Sequence, residues 1–66
     1  MKLSERIKEL RIEKGLSQMQ LAKIIGVSQK AIDYWDRNIN EPKASYIIAL
    51  VKAFGLSFDE FFADLY

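Results

Sequence analysis

A chain of 66 residues, half of them apolar and none of them cysteine or histidine, holds one domain with a small core, and it cannot form a disulfide, a thiolate or imidazole metal site, or a Ser-His-Asp triad. No apolar run approaches the roughly 18 residues that mark a membrane span, and the charged start MKLSERIKELR lacks the apolar region of a signal peptide, so residues 1–66 read as a single cytoplasmic domain with no membrane partner. The net charge of +1 hides an asymmetry: residues 1–54 hold all ten lysines and arginines against six acids, a net +4, and residues 55–66 hold Asp59, Glu60 and Asp64, a net −3, a distribution compatible with one face meeting nucleic acid.

The first predicted helix covers about Ser4 to Lys14, with Leu3, Ile7 and Leu10 at i, i+4 and i+7 forming one apolar stripe. Gly15 ends it, and Leu16 is expected to plug the core. The central stretch, QMQLAKIIGVSQKAIDYWDR from Gln18 to Arg37, reads as two short helices joined at Gly26-Val27-Ser28. Ser17 with Gln20 three residues on is a capping-box pattern. Gly26 follows the last apolar residue of that helix, where a left-handed residue is wanted, and Ser28 offers the N-cap acceptor of the next. A helix that stops at a glycine and restarts about three residues later is a helix-turn-helix unit, placed here at residues 18–37. Leu21, Ile25, Val27, Ile32 and Trp35 are the inward set, with Ala22 as the small residue at the helix crossing. Gln18, Gln29, Lys30, Asp33, Tyr34 and Arg37 then face outward, where a groove reader carries its contacts.

NINEPK, from Asn38 to Lys43, is a loop: Asn tolerates the left-handed conformation and Pro42 biases Glu41 away from helix. A fourth helix over about Ala44 to Phe54 is apolar on most sides and is expected to be the buried centre of the bundle. Gly55 stops it, and Ser57 with Glu60 forms a second capping box that opens a last short helix bearing Phe58, Phe61, Phe62 and Leu65. Nothing alternates with the period of a strand. The fold class is all-α: a compact domain of five helices around a central helix-turn-helix.

The run LSQMQLAKIIGVSQKAIDYWDRNINEP and the later ALVKAFGLSFDEF resemble the lambda-repressor-like helix-turn-helix family, the Cro and phage-repressor type also called the xenobiotic-response-element family, from Ile7 to Phe61. The family pattern is met in register by Ser17-Gln18, Leu21-Ala22, Gly26-Val27-Ser28, Ile32, Trp35-Asp36 and Pro42. The departures are Asp36 where Glu is usual, Asn38 where Gly is typical, and Asp33 at a position usually held by Ser. The first two are conservative, since the charge is kept and Asn also visits positive φ. An acid at 33 faces phosphates and costs affinity unless it accepts from a cytosine N4 amine or pairs with a neighbouring base.

The resemblance implies double-stranded DNA as partner, with the helix from Gln29 to Arg37 in the major groove. The implied base contacts are Gln29, Lys30, Tyr34 and Asp33; the implied phosphate contacts are Gln18, Ser28, Arg37 and Lys43. It also implies a partly buried ion pair between Arg11 and Asp36; Trp35, by its place among the inward positions, is a core residue rather than a DNA contact. The tail FDEFFADLY carries more large apolar groups than one short helix can cover, so Phe62, Leu65 and Tyr66 are candidate dimer contacts. A homodimer through this tail and the loop before the fourth helix would favour a palindromic operator. No cofactor and no metal are implied, and no constellation supports an enzyme. The function implied is sequence-specific DNA binding by a small transcriptional regulator, a repressor. The alternative is a protein-interaction module, such as an antitoxin or adaptor, that uses the same fold to hold a protein partner.

Overall fold

The computed structural model describes residues 1–65 of the chain. Its elements are α1 (Leu3–Glu13), α2 (Gln18–Ile25), α3 (Gln29–Asp36), α4 (Ala44–Ala53) and α5 (Phe58–Phe62). The described residues contain helices and turns only, and no helix is long and apolar enough to cross a membrane.

Local hydrogen bonding explains where the helices start. The Ser17 hydroxyl accepts from the Gln20 N–H at 3.0 Å, and the Gln20 amide oxygen accepts from the Ser17 N–H at 2.7 Å. The same reciprocal pair recurs at Ser57 and Glu60, at 3.1 and 2.9 Å. Ser28 caps α3 by accepting from the Ala31 N–H at 3.1 Å. α1 begins at Leu3, one residue before the expected Ser4, with Lys2 as the cap residue and the Glu5 carboxylate accepting from the Lys2 N–H at 3.0 Å. Between α2 and α3, Gly26 sits at φ 78° and ψ 37°, and the N–H groups of Gly26 and Val27 both donate to the Ala22 carbonyl, at 2.9 and 3.0 Å. A Cβ at Gly26 would meet nothing within 4 Å, so the turn needs glycine for its backbone conformation and not for space. Asn38 takes positive φ, 57°, at the end of α3.

The core gathers Leu3, Ile7 and Leu10 of α1, Leu21 and Ala22 of α2, Ile32 and Trp35 of α3, Leu50 and Val51 of α4, Phe54 and Phe61. Ile25, Val27 and Leu16 are half-buried and pack against it. The expectation of α4 as a wholly buried centre is corrected. Only Leu50 and Val51 of that helix are buried; Tyr46 and Ile47 are half-buried, and Ser45, Ile48 and Lys52 form an outer face. A chain this short supplies partners for one stripe of each helix, so α4 is amphipathic in position although its sequence is apolar nearly all round.

The last helix is held by two devices. Phe61 is fully buried and lies parallel to Phe54, ring centres 6.5 Å apart. Arg6 of α1 reaches the end of α5, donating through Nε to the Phe61 carbonyl at 2.9 Å and through Nη2 to the Glu60 carbonyl at 2.6 Å, while Nη1 pairs with Glu9 at 2.8 Å. Those carbonyls belong to the last turn of a helix, where backbone donors run short: that of Glu60 also receives the Ala63 N–H at 3.4 Å, a long bond that the guanidinium supplements.

Candidate nucleic-acid interface

At 3.6 residues per turn, α3 presents two sides. Ile32 and Trp35 are buried, and Gln29, Lys30 and Arg37 are exposed, with Asp33 and Tyr34 half-exposed beside them. Tyr34 has two cations over its ring: the Lys30 Nζ lies 5.5 Å from its centre and the Arg37 guanidinium 5.6 Å, so the tyrosine helps to order both long side chains.

Asp33, the residue that fits the family pattern least, has two partners. Its Oδ2 accepts from Arg37 Nη2 at 2.7 Å, one helical turn on, and its Oδ1 accepts from Gln18 Nε2 of α2 at 3.4 Å. The Arg37 hydrogen bond is the main reason the carboxyl is held below its ordinary range; its desolvation opposes, and the Gln18 hydrogen bond adds to the lowering. Within α3 this acid is thus paired with a cation one helical turn away.

Gln18, expected to face outward to a phosphate, is half-buried, and its amide nitrogen is turned toward α3, donating to Asp36 Oδ2 at 3.1 Å and to Asp33 Oδ1 at 3.4 Å. Asp36 is itself buried, with 3% of its side chain exposed, and receives Arg11 Nη2 at 3.0 Å. Arg11 Nη1 also donates to the Leu16 carbonyl at 2.8 Å. α1, the α1–α2 turn, α2 and α3 thus meet in one polar cluster behind the outward face.

An open cleft of about 510 Å³ runs between α3 and the start of α4, lined among others by Ser28, Lys30, Tyr34, Lys43 and Tyr46, with Trp35 in its wall. Lys43 is the N-cap residue of α4 and places its Nζ 5.2 Å from the Tyr46 ring. The cleft brings Ser28, Lys30, Tyr34 and Lys43 together, four residues chosen from the sequence as DNA contacts; Gln29 and Arg37 stand on the α3 face beside it. Tyr46, which was not among the residues expected to contact DNA, lines the same cleft.

The sequence model of the helix-turn-helix family matches residues 7–61. The chain belongs to the lambda-repressor-like helix-turn-helix family of DNA-binding transcriptional regulators. Among its relatives is the HTH-type transcriptional regulator PuuR of Escherichia coli strain K12, 35% identical over 60 residues that make up 91% of this chain and 32% of that protein. Repressor protein C2 of Salmonella phage P22 is 39% identical over 57 residues, 86% of this chain and 26% of the repressor. The chain therefore spans about a third or less of the length of these relatives. In three dimensions it is similar to the P22 c2 repressor crystallised with a synthetic operator, with TM-score 0.83, 36% identity and 92% of each chain covered. The solution structure of the DNA-binding domain of the same repressor gives TM-score 0.88 at 34% identity, covering 97% of this chain and 84% of that one. A restriction-modification controller protein gives 0.85 at 30%, covering 92% and 79%. These relatives are regulators and repressors, which does not favour the interaction-module alternative.

Proposed function

We propose that this chain binds double-stranded DNA in a sequence-specific way, with α3 in the major groove, and represses transcription by occluding promoter DNA. The observation that carries the reading is the outward face of α3: Gln29, Lys30, Tyr34 and Asp33 lie together there, flanked by the cleft that holds Ser28 and Lys43. In this reading Gln29 pairs with adenine and Lys30 with guanine, since an amide matches the adenine N6/N7 edge and a cation the guanine O6/N7 edge. Ser28, Arg37 and Lys43 contact phosphates and fix the register. Arg37 has five N–H donors, so its bond to Asp33 leaves others for a phosphate. α4 also starts at Lys43 without a side-chain cap, and its first N–H groups add a favourable dipole for an anion there. A solved relative is described in complex with an operator, which supports the same partner here. The protein acts in the cytoplasm, nucleoid-associated when bound.

The reading includes a homodimer on a palindromic operator. Phe62 is 39% exposed, and a cleft of about 360 Å³ lined by Leu3, Glu41, Phe62 and Leu65 joins the tail to the loop before α4. Tyr66, the third candidate contact, lies outside the described residues. A second copy placed there would set two α3 helices about 34 Å apart. Sedimentation tests it: a monomer mass independent of concentration, with and without operator, removes the dimer.

Selection of bound sequences from a random DNA pool at about 100 mM salt tests the groove assignment. Wild type should enrich a defined site, and a Gln29→Ala plus Lys30→Ala variant should lose that enrichment. An unchanged enrichment would sink it. Affinity should fall steeply with rising salt, with a slope that reports the number of phosphate contacts.

A further inference from the structure

Asp33 stands one turn after Gln29 on α3, about 40° round the helix from it and inside the arc that ends at Lys30 and Tyr34. Resting on the groove assignment above, we infer that Asp33 is a specificity-determining residue whose carboxylate selects cytosine at one position of each half-site and excludes the keto bases guanine and thymine there. The chemistry is one-sided. An ionised carboxylate accepts hydrogen bonds and donates none. In the major groove cytosine offers the N4 amine alone, adenine offers N6 beside the N7 acceptor, and guanine and thymine present acceptors. A carboxylate therefore gains from cytosine, gains less from adenine, and is repelled by O6 and N7 of guanine and by O4 of thymine.

The geometry makes this a fixed reader and not a mobile surface charge. Arg37 holds one oxygen at 2.7 Å and Gln18, from a different helix, holds the other at 3.4 Å, so the carboxylate orientation is set before DNA arrives. A carboxylate has about four acceptor sites, and these two bonds leave room for a base amine. Arg37 also supplies the compensating positive charge toward the phosphates, so the acid can stand at the groove without repelling the duplex as a whole. The Arg37 hydrogen bond holds the carboxyl below its ordinary range, so the group stays ionised, and acceptor-only, throughout the neutral range.

The test is bound-sequence selection with wild type, Asp33→Asn, Asp33→Ala and Arg37→Met, each checked for helicity by circular dichroism. Wild type should give one column per half-site rich in cytosine and depleted in guanine and thymine. In Asp33→Asn that column should move to adenine, the base an amide matches bidentately, and preference for cytosine over guanine should fall about tenfold. Asp33→Ala should flatten the same column and leave the others standing, and Arg37→Met, which frees the carboxylate and removes a phosphate contact, should weaken that column and lower the affinity for every sequence. A column unchanged in both Asp33 variants overturns the inference alone, as does a folded Asp33→Ala that loses affinity for every sequence alike with its column intact. Absence of any enriched column with wild type overturns the groove assignment itself.

Discussion

Two arginines of α1 each fix one neighbouring part of the molecule, and they do so by different chemistry. Arg11 points into the junction of α1, α2 and α3 and meets a buried carboxylate, Asp36, together with the Leu16 carbonyl. Arg6, more than one turn earlier, points at the end of α5 and meets two backbone carbonyls, with Glu9 outside. Around Arg11 the Asp36 carboxylate is shared with Gln18, and both Arg11 Nε and Asp36 Oδ1 are buried without a partner among the described residues. Around Arg6 the acceptors are neutral carbonyls, and that of Glu60 also receives the Ala63 N–H at 3.4 Å. The difference teaches which junction is sensitive to a single change: a buried charge that loses its partner is costly, a carbonyl that loses one is less so.

The comparison breaks hardest at Asp36. Asp36→Ala strands the Arg11 guanidinium and should cost about 3–5 kcal/mol, read by urea unfolding; a loss below about 1 kcal/mol would mean the pair is not the clamp of this junction. Replacing both charges, Arg11→Met with Asp36→Leu, should recover most of the loss, because desolvated ion pairs are often matched by apolar residues of similar volume. The recovered protein should still lose DNA affinity, since Gln18 would no longer be held against α3 by Asp36. Next in size is Arg6→Ala, which removes two charge-assisted bonds to the end of α5 and should cost about 2 kcal/mol. That loss should be accompanied by faster hydrogen exchange in α5 and not in α3. Uniform loss of protection would show that the two junctions unfold as one, and the distinction between them would disappear.

What could be read in the sequence follows the same division. Capping residues, the left-handed Gly26 and the apolar stripe of α1 are local signals, and each produced its element. The Arg11–Asp36 contact came through a family pattern, since nothing in periodicity joins residues 25 apart. The Arg6 clamp left no sequence signal, because its acceptors are carbonyls that every residue carries. α4 was over-read because its composition is apolar all round, and only tertiary packing decides which side is covered. On the outward face, the residues of α3 were legible from helix periodicity. The inward turn of the Gln18 amide was not, because it depends on two acids of another helix.

The smallest expected effect sharpens the contrast at the α5 end, and it is a pH effect. The Glu60 carboxyl is held below its ordinary range by the Ser57 backbone N–H first and the Ser57 side chain second, against a desolvation that raises it. A carboxyl with a lowered folded value contributes stability above its unfolded value of about 4.5, and that contribution is lost as pH falls through the folded value. Glu60→Gln keeps an oxygen to accept from the Ser57 N–H but cannot titrate, and it gives up a negative charge at a helix start. Its thermal midpoint should lie slightly below wild type near neutral pH, and the two curves should converge as pH falls below the unfolded value and the wild-type carboxyl is protonated. The Asp33 carboxyl, lowered mainly by Arg37, has the same sign, so Asp33→Asn should flatten part of the remaining acid limb. Curves for Glu60→Gln and wild type that stay parallel through the acid limb would mean that the capping box holds α5 by geometry alone, leaving Arg6 and Phe61 as the contacts that fix this end of the chain.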